Sequence, residues 1–176
     1  MAATVTGNRI VTFNFTETQT FQGSSLPWTV NPTDAAVQKT GIATGTAAGK
    51  VEVVAVAQCS QTGNTASTPY TLDLTAAPNP HGNVTFTRPK SLLIVNNATG
   101  NTGAVTVGGG SNPFTDRIVS VAGATVNLAP GGCYLIEDWR TSGLGLVDST
   151  HKIITLTPAD TNYNMKVTIY VAGNIS

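Results

Sequence analysis

Charged side chains are scarce in this sequence, and the few that are present cancel. Nine Lys and Arg residues balance nine Asp and Glu residues, so charged residues make up 10% of the 176-residue chain and its formal net charge is zero. Typical soluble domains carry about 25% charged residues. A surface without excess positive charge gives no electrostatic reason to bind nucleic acid or anionic lipid. With 40% hydrophobic residues, the chain is also too apolar for disorder.

Cysteine and histidine, which supply most metal and redox sites, are equally rare. Cys59 and Cys133 lie far apart, which favours two separate buried thiols and leaves a single disulfide as the alternative. His81 and His151 lack the spacing of metal ligands, and the carboxylates form no calcium-loop pattern. The sequence therefore predicts neither a metal nor a cofactor.

Long apolar runs are missing as well. No stretch approaches the ~20 residues that a membrane-spanning helix needs. The amino terminus shows neither the basic region nor the apolar region of a signal peptide. We therefore expect a protein without a membrane partner or an encoded export signal.

Threonine, valine, glycine and asparagine fill the composition, and they favour strands and turns. Short segments that alternate apolar and polar residues, or are wholly apolar, recur between turn signals. The predicted strands are residues 9–15, 26–30, 51–57, 69–74, 83–87, 92–95, 104–107, 117–121, 125–128, 133–137, 144–147, 152–157 and 164–171. This spacing is typical of an antiparallel β-sandwich or jelly roll. We expect one all-β domain over residues 1–176.

The first 39 residues carry a weaker core pattern than the rest. Residues 16–25 are polar and predict an edge strand or an exposed loop, and Pro27 confines residues 26–30 to an edge or a turn. Thr33 or Asp34 could cap one helical turn reaching Lys39, the only helix expected. We expect residues 1–39 to form an amino-terminal arm or edge-strand segment, and its first 25 residues could add a strand to an adjacent subunit.

The centre of the fold is predicted around residues 92–95, a continuous apolar run between turn signals. Such a run indicates a strand buried on both faces. After the next strand, Gly108, Gly109 and Gly110 predict a turn with positive φ angles, and Phe114 then returns to the core. Residues 40–50 and 58–68 are rich in turn residues and predict loops.

Three segments resemble catalytic or ligand-binding motifs, and each has a simpler explanation. Residues 45–50 are one residue short of a phosphate-binding loop and precede a strand rather than a helix. Residues 148–151 place an acid, hydroxyls and a histidine together, but a polar turn explains them without a triad. Glu137 and Asp138 are adjacent, so on a strand they point to opposite faces. We predict no catalytic residues and do not expect an enzyme.

Aromatic residues beside polar or turn residues remain as interaction candidates. Trp28, Trp139 and Tyr163 meet this description, although tryptophan is often largely buried. Trp139 is the best placed of the three, because Glu137, Asp138 and Arg140 surround it with polar groups. The alternative explanation of that cluster is a solvated strand end with one interface aromatic.

The second half of the chain resembles small β-rich proteins encoded among the head and structural genes of tailed bacteriophages. Residues 86–96 (FTRPKSLLIVN) are similar to the group's F-x-R-x-K-x-L-x-I-x-N opening. Residues 107–114 are similar to its V-G-G-x-x-x-N-x-F turn, and residues 126–132 to its V-x-x-x-P-G-G turn. Residues 167–171 match its final strand. The likeness runs from about residue 40 to the end, best after Thr85, and carries over no catalytic residues.

The resemblance implies a virion structural role, with capsid decoration first and a tail or fibre component next. It implies assembly in the host cytoplasm, contacts with the major capsid protein or other virion subunits, and a homo-oligomer, with a trimer favoured. The alternative function is a receptor- or carbohydrate-binding β-sandwich.

Overall fold

The fold is taken from a computed structural model. It describes residues 5–10, 14–21, 24–30, 38–61, 68–79, 82–99, 103–159 and 165–175, with side chains from residue 44 onward. These ranges contain no cis peptide bond.

The amino-terminal part forms a sheet of its own. Its strands are β1 (Val5–Ile10), β2 (Asn14–Phe21), β3 (Ser24–Val30), β4 (Gln38–Thr44) and β5 (Lys50–Val51), in the order β3-β2-β1-β4-β5. The neighbours are antiparallel, except that β4 and β5 are parallel. As predicted for residues 26–30, β3 lies at an edge. Strands β1, β2 and β3 pair within the chain, and strand exchange with another subunit stays a prediction.

Three expectations for this part were wrong. Residues 16–21 are neither an edge strand nor a loop, because β2 pairs with β1 on one side and with β3 on the other. Residues 9–15 are not one strand, because Ile10 at the end of β1 pairs with Asn14 at the start of β2. Residues 40–50 are not one loop, because they include most of β4 and the start of β5. The error at residues 9–15 is local, because these residues pair with one another across a hairpin. The error at residues 40–50 is not, because β4 pairs with the distant strand β1, which a local window does not show. The expected helical turn at residues 34–39 falls mostly outside the described residues, but Gln38 and Lys39 are in β4.

The remaining strands form two four-stranded antiparallel sheets. They are β6 (Val53–Gln61), β7 (Tyr70–Asp73), β8 (Arg88–Asn96), β9 (Val105–Gly108), β10 (Thr125–Leu128), β11 (Cys133–Glu137), β12 (Ile153–Pro158) and β13 (Met165–Asn174). One sheet has the order β10-β9-β12-β7 and the other β11-β8-β13-β6. Successive strands from β6 to β13 alternate between the sheets except for the neighbours β9 and β10, which is the connectivity of a jelly roll. The predicted all-β sandwich is confirmed.

The core lies between these two sheets. The inner face of one sheet contributes alternate residues of β6, β8 and β13, and the other contributes residues of β7, β9 and β12. Ile94 and Ile169 are directly paired across two strands, and both have 0% exposure. Phe114, which follows the glycine turn as predicted, is also fully buried. Burial of such side chains stabilises the fold by about 1.5 to 3 kcal/mol each.

Strand β8 is buried on both faces, as its apolar run predicted. Leu92 and Ile94 belong to the core, whereas Leu93 points to the opposite face of the sheet and is still only 2% exposed. The predicted turn after β9 is also confirmed, because Gly108, Gly109 and Gly110 all have positive φ. A Cβ at Gly108 would lie 2.5 Å from Ala124 O, so a side chain has no room there.

Three predicted strands are absent. Residues 117–121 instead contribute to a short helix, α1 (Thr115–Val119), which ends at Ser120 in the left-handed region with φ 55°. Residues 83–87 form only an isolated bridge between Val84 and Ala77. Residues 144–147 are a turn and an extended segment, held where Val147 N donates to Thr87 O. One short helix was expected, but not at this place.

The cysteines are only partly as expected. Both are free, so no disulfide forms, and Cys59 is buried on the inner face of β6. Cys133 is exposed rather than buried, because it starts the edge strand β11 and faces away from the core. Strand β6 also continues to Gln61, through part of the loop expected at residues 58–68.

Candidate interaction surface

The acid, hydroxyl and imidazole of residues 148–151 do come together, but around the carboxylate. Asp148 Oδ1 accepts hydrogen bonds from Thr150 N, Thr150 Oγ1 and His151 N, each at 2.8 Å. His151 Nδ1 lies 3.2 Å from the same oxygen, and Arg117 Nη2 donates to Asp148 Oδ2 at 2.6 Å. The hydroxyl of Thr150 therefore holds down the pKa of Asp148 most strongly, helped by the amide of Thr150 and by Arg117.

This arrangement organises a turn. A hydrolytic triad needs the imidazole between the nucleophile and the acid. Here Thr150 Oγ1 lies 2.9 Å from His151 Nδ1, but this same nitrogen also faces Asp148 Oδ1, and the hydroxyl itself donates to that carboxylate oxygen. The imidazole therefore does not stand between the two groups, and His151 pairs back with Asp148 across the turn. The side chains tie α1 to the segment before β12 through Arg117. His81, the other histidine, lies outside the described residues.

The segment that resembles a phosphate-binding loop offers carbonyl groups where a phosphate cradle would offer N–H groups. A phosphate cradle presents backbone N–H groups to an anion. In residues 45–50 three of these amides are already used: Gly45 N donates to Val51 O, Gly49 N to Trp139 O, and Lys50 N to Ala47 O. The loop instead presents carbonyl groups to a cation of the chain itself.

That cation is Lys90, whose side chain is fully buried beneath the loop. Its ammonium donates to Thr46 O at 3.1 Å, to Ala47 O at 2.7 Å and to Lys50 O at 2.7 Å. Three acceptors match the three N–H bonds of an ammonium. Burial lowers the pKa of Lys90, and the carboxylate of Glu52 partly offsets this. Lys90 thus fastens the loop before β5 onto the start of β8.

The adjacent acids Glu137 and Asp138 are engaged separately. Ser91 Oγ donates to Glu137 Oε1 at 3.2 Å. Asp138 accepts from Arg140, whose Nε lies 2.9 Å from Oδ1, and this hydrogen bond lowers the pKa of Asp138. The two carboxylates therefore belong to different contacts, and the structure does not bring them together as an acid pair.

The three aromatic interaction candidates have different places in the fold. Trp139 is half-buried and packs on a small cluster formed by Val51, Ala172 and Val54, beside the loop that Lys90 holds. Trp28 is in β3, outside the range of described side chains, and Tyr163 lies outside the described residues. A ligand role for these residues stays a prediction, and the structure shows a packing role for Trp139.

The sheet β11-β8-β13-β6 has a second apolar surface on the face away from the core. Its strand register aligns one row across all four strands: Val56, Tyr170, Leu93 and Leu135. The next row contains Gln58, Thr168, Val95 and Cys133. We call these eight residues the outer face. The sequence held a signal for it, because Leu93 and Val95 alternate with the core residues of β8.

At one edge of the outer face, β11 pairs with β8 alone. Asp138 N donates to Lys90 O and Asn96 N to Gly132 O, which sets the alternation of the pairing. The backbone groups of Tyr134 and Ile136 therefore face β8, and those of Cys133 and Leu135 point away from the sheet. Within the described part of the chain, these outward groups have no hydrogen-bond partner.

The opposite edge of the same sheet is covered where β6 begins. Val56 N donates to Pro78 O at 3.2 Å, and Asn79 Nδ2 donates to Val54 O at 2.6 Å. Residues 78–79 thereby occupy the outward groups at the start of β6, while those farther along the strand have no hydrogen-bond partner among the described residues. Within the same described ranges, strand β11 has no comparable cover, and it contains no lysine or proline, the usual guards of a strand edge. The open edge of β11, with the adjoining outer face, is the candidate interaction surface.

Other classes of site find less support in the described ranges. No group of three His, Cys, Asp or Glu side chains there is placed to hold a metal ion. No helix among the same residues is long and apolar enough to cross a membrane. Over the described residues, fold and surface define a jelly-roll sandwich with an open apolar strand edge at β11. No family model, curated protein or solved structure matches it.

Proposed function

We propose that this chain is a bacteriophage virion structural protein that decorates and stabilises the capsid by adhesion to neighbouring subunits. The observation that carries the proposal is the open edge of β11, where apolar side chains and outward backbone groups lie together. Such an edge is a ready template for protein contact and a hazard for a free monomer. A subunit that works inside an assembly covers it.

Composition and fold agree with this role. A nearly uncharged, threonine-rich surface favours association with like surfaces over electrostatic capture of nucleic acid. Jelly rolls occur in viral capsid proteins, which raises the expectation by analogy of fold. The bacteriophage resemblance of residues 86–96 and 107–114 points the same way. The proposed partners are the major capsid protein or other virion subunits, including further copies of this chain, within the assembled virion.

The test is binding of the full-length chain to purified capsid shells. We expect co-sedimentation that saturates at a fixed ratio of this chain to capsid subunits, and slower disassembly of the decorated shells on heating. A β-sandwich of similar mass and charge from an unrelated source is the control. Binding that fails to saturate, or that matches the control, contradicts the proposal.

Carbohydrate binding is the second candidate, because jelly rolls also occur in lectins. Its specific support is the half-buried Trp139 next to the paired Asp138 and Arg140, an aromatic surface beside polar groups. A glycan array separates the two candidates. Retention of a defined sugar that is lost in Trp139→Ala, in a protein that still folds, would favour the binder over the capsid role.

A further inference from the structure

We propose that β11 pairs with β11 of a second copy of this chain, antiparallel and across a two-fold axis. The two sheets β11-β8-β13-β6 then join into one continuous sheet of eight strands. This inference does not depend on the virion role, because it concerns the purified chain alone.

The backbone of β11 supplies the first argument. Cys133 and Leu135 each direct an N–H and a C=O away from β8, and neither pair of groups has a partner among the described residues. In an antiparallel ladder, two residues opposite each other exchange both of their hydrogen bonds. If Cys133 faces Leu135 of the second copy, and the reverse, about four backbone hydrogen bonds form.

This register places the two-fold axis beside Tyr134, which then faces its own counterpart. Tyr134 is half-buried and packs against the core cluster, and so does Ile136. Two tyrosines at a directly opposed, non-hydrogen-bonded position come close together, where the side chains of a ladder touch most. The contact therefore extends the core of each copy toward the other.

Charge favours a second copy over a charged partner. Cys133, Tyr134 and Leu135 are the residues that meet in this register, and all three are uncharged. An identical strand thus brings no like charges face to face, which would oppose the pairing. A basic or acidic peptide would gain no opposite charge from these three residues.

The pairing closes after two copies. The two-fold axis matches the open edge of one copy with the same edge of the other, so a third copy finds no free β11 edge in the dimer. At the start of β6, on the sheet's other edge, Val56 N and Val54 O are hydrogen-bonded to Pro78 and Asn79. The edges of the other sheet alternate toward solvent with polar residues, such as Thr71 in β7 and Asn127 in β10.

One short strand buries little area, so the dimer is expected to be weak. Contacts below about 1,200 Å² are typical of transient complexes. We expect a dissociation constant between about 1 μM and 1 mM. Sedimentation equilibrium of the full chain over this range should give a mass that approaches twice the 18.1 kDa of the monomer.

A charge on the open edge tests the surface. Leu135→Lys places an ammonium where the second copy would pack, and it should raise the dissociation constant at least about tenfold. Ser60→Lys is the matched control, because Ser60 is exposed on the same face of the opposite edge strand β6. It should leave the constant unchanged. Equal effects of the two variants would overturn the proposal.

A crosslink tests the register without relying on loss of binding. In a Cys133→Ser background, Tyr134→Cys should form an intermolecular disulfide under mild oxidation, since opposed residues of this kind have Cα atoms about 4.5 Å apart. Cys133→Ser with Ser60→Cys is the control and should not crosslink at the same rate. A native chain that stays monomeric up to about 1 mM, a native trimer, or failure of the Tyr134→Cys variant to crosslink in a folded dimer would each overturn the pairing.

Discussion

The two ends of β8 are fastened by different chemistry. Near its start, the buried ammonium of Lys90 holds three carbonyl groups of the loop before β5. At its end, the buried amide of Asn96 donates to Gly103 O at 2.6 Å and to Leu128 O at 3.1 Å, and it accepts from Ala98 N. Both side chains tie distant loops to the same central strand.

This difference indicates which end of β8 should depend on charged groups for its stability. The end near Lys90 also contains the turn at Asp148 with Arg117, so its contacts involve ionised groups. The end near Asn96 uses neutral groups in the contacts just described. We therefore expect pH to affect mainly the first end, and loss of buried hydrogen bonds to affect both. Each of the following substitutions tests this difference between the two ends of β8.

Lys90→Met is expected to have the largest effect. The methionine keeps most of the aliphatic stem but leaves the carbonyls of Thr46, Ala47 and Lys50 without their donor. We expect a loss of about 2 to 4 kcal/mol in the free energy of unfolding, because unsatisfied buried acceptors cost about 1 to 3 kcal/mol each and loop motion hydrates some of them. Chemical denaturation at neutral pH measures it.

Lys152→Met is the matched control for the charge. Lys152 lies on the surface, with its Nζ 3.4 Å from Asp73 Oδ2, and exposed pairs of this kind contribute at most about 1 kcal/mol. If the two methionine variants lost equal stability, the carbonyl contacts of Lys90 would not be what holds the loop.

Asn96→Leu removes the contacts at the other end of β8, and we expect it to lower the free energy of unfolding by about 2 kcal/mol. The leucine is similar in size, so the loss comes from two carbonyl groups and one amide left without the side chain. Asn97→Leu is the neighbouring control, because Asn97 is exposed and its side chain donates to the hydroxyl oxygen of Thr168. The Asn96 effect should be the same at pH 5 and pH 8. A strong pH dependence would show that a neutral network does not explain this end.

The sequence predicted strand β8, but it did not predict the side-chain contacts that hold the two ends of this strand. The apolar run of β8 and the glycine turn at Gly108 are local signals, and their environment agrees with their pattern. The three acceptors of Lys90 lie 40 or more residues away along the chain. Asn96 bonds to Leu128, 32 residues away, as well as to the nearby Ala98 and Gly103. No local pattern can indicate such partners, so burial of a lysine was not foreseen.

At residues 117–121 a local signal was present, but it predicted the wrong structure. Ile118, Val119 and Val121 favour a strand by intrinsic preference, yet residues 115–119 are a helix. Phe114 is fixed in the core. At the end of the helix Ser120 N donates to the backbone carbonyl of Asp116, and Gly123 N donates to its carboxylate oxygen Oδ1. Tertiary anchoring and one carboxylate outweigh a weak local preference. The open edge of β11 was missed for a related reason, because edge position depends on the order of strands in the sheet.

Asp148→Asn tests the pH dependence of the end that contains charged groups, and it is expected to have the smallest effect on stability. The hydroxyl of Thr150 and the guanidinium of Arg117 hold the pKa of Asp148 well below its usual value of about 3.9. The unfolded chain therefore binds a proton here first as the pH falls, so the stabilising contribution is present above about pH 4 and is lost below it. The variant should melt at a lower temperature than the native chain at pH 7, and the gap should narrow steadily as the pH falls from 4 to 2. Thr150→Val, which removes one donor but keeps the carboxylate, should show a smaller gap of the same sign. Thermal unfolding between pH 2 and 7 measures both. A gap that persists unchanged at low pH would assign the effect to the shape of the turn rather than to the charge of Asp148.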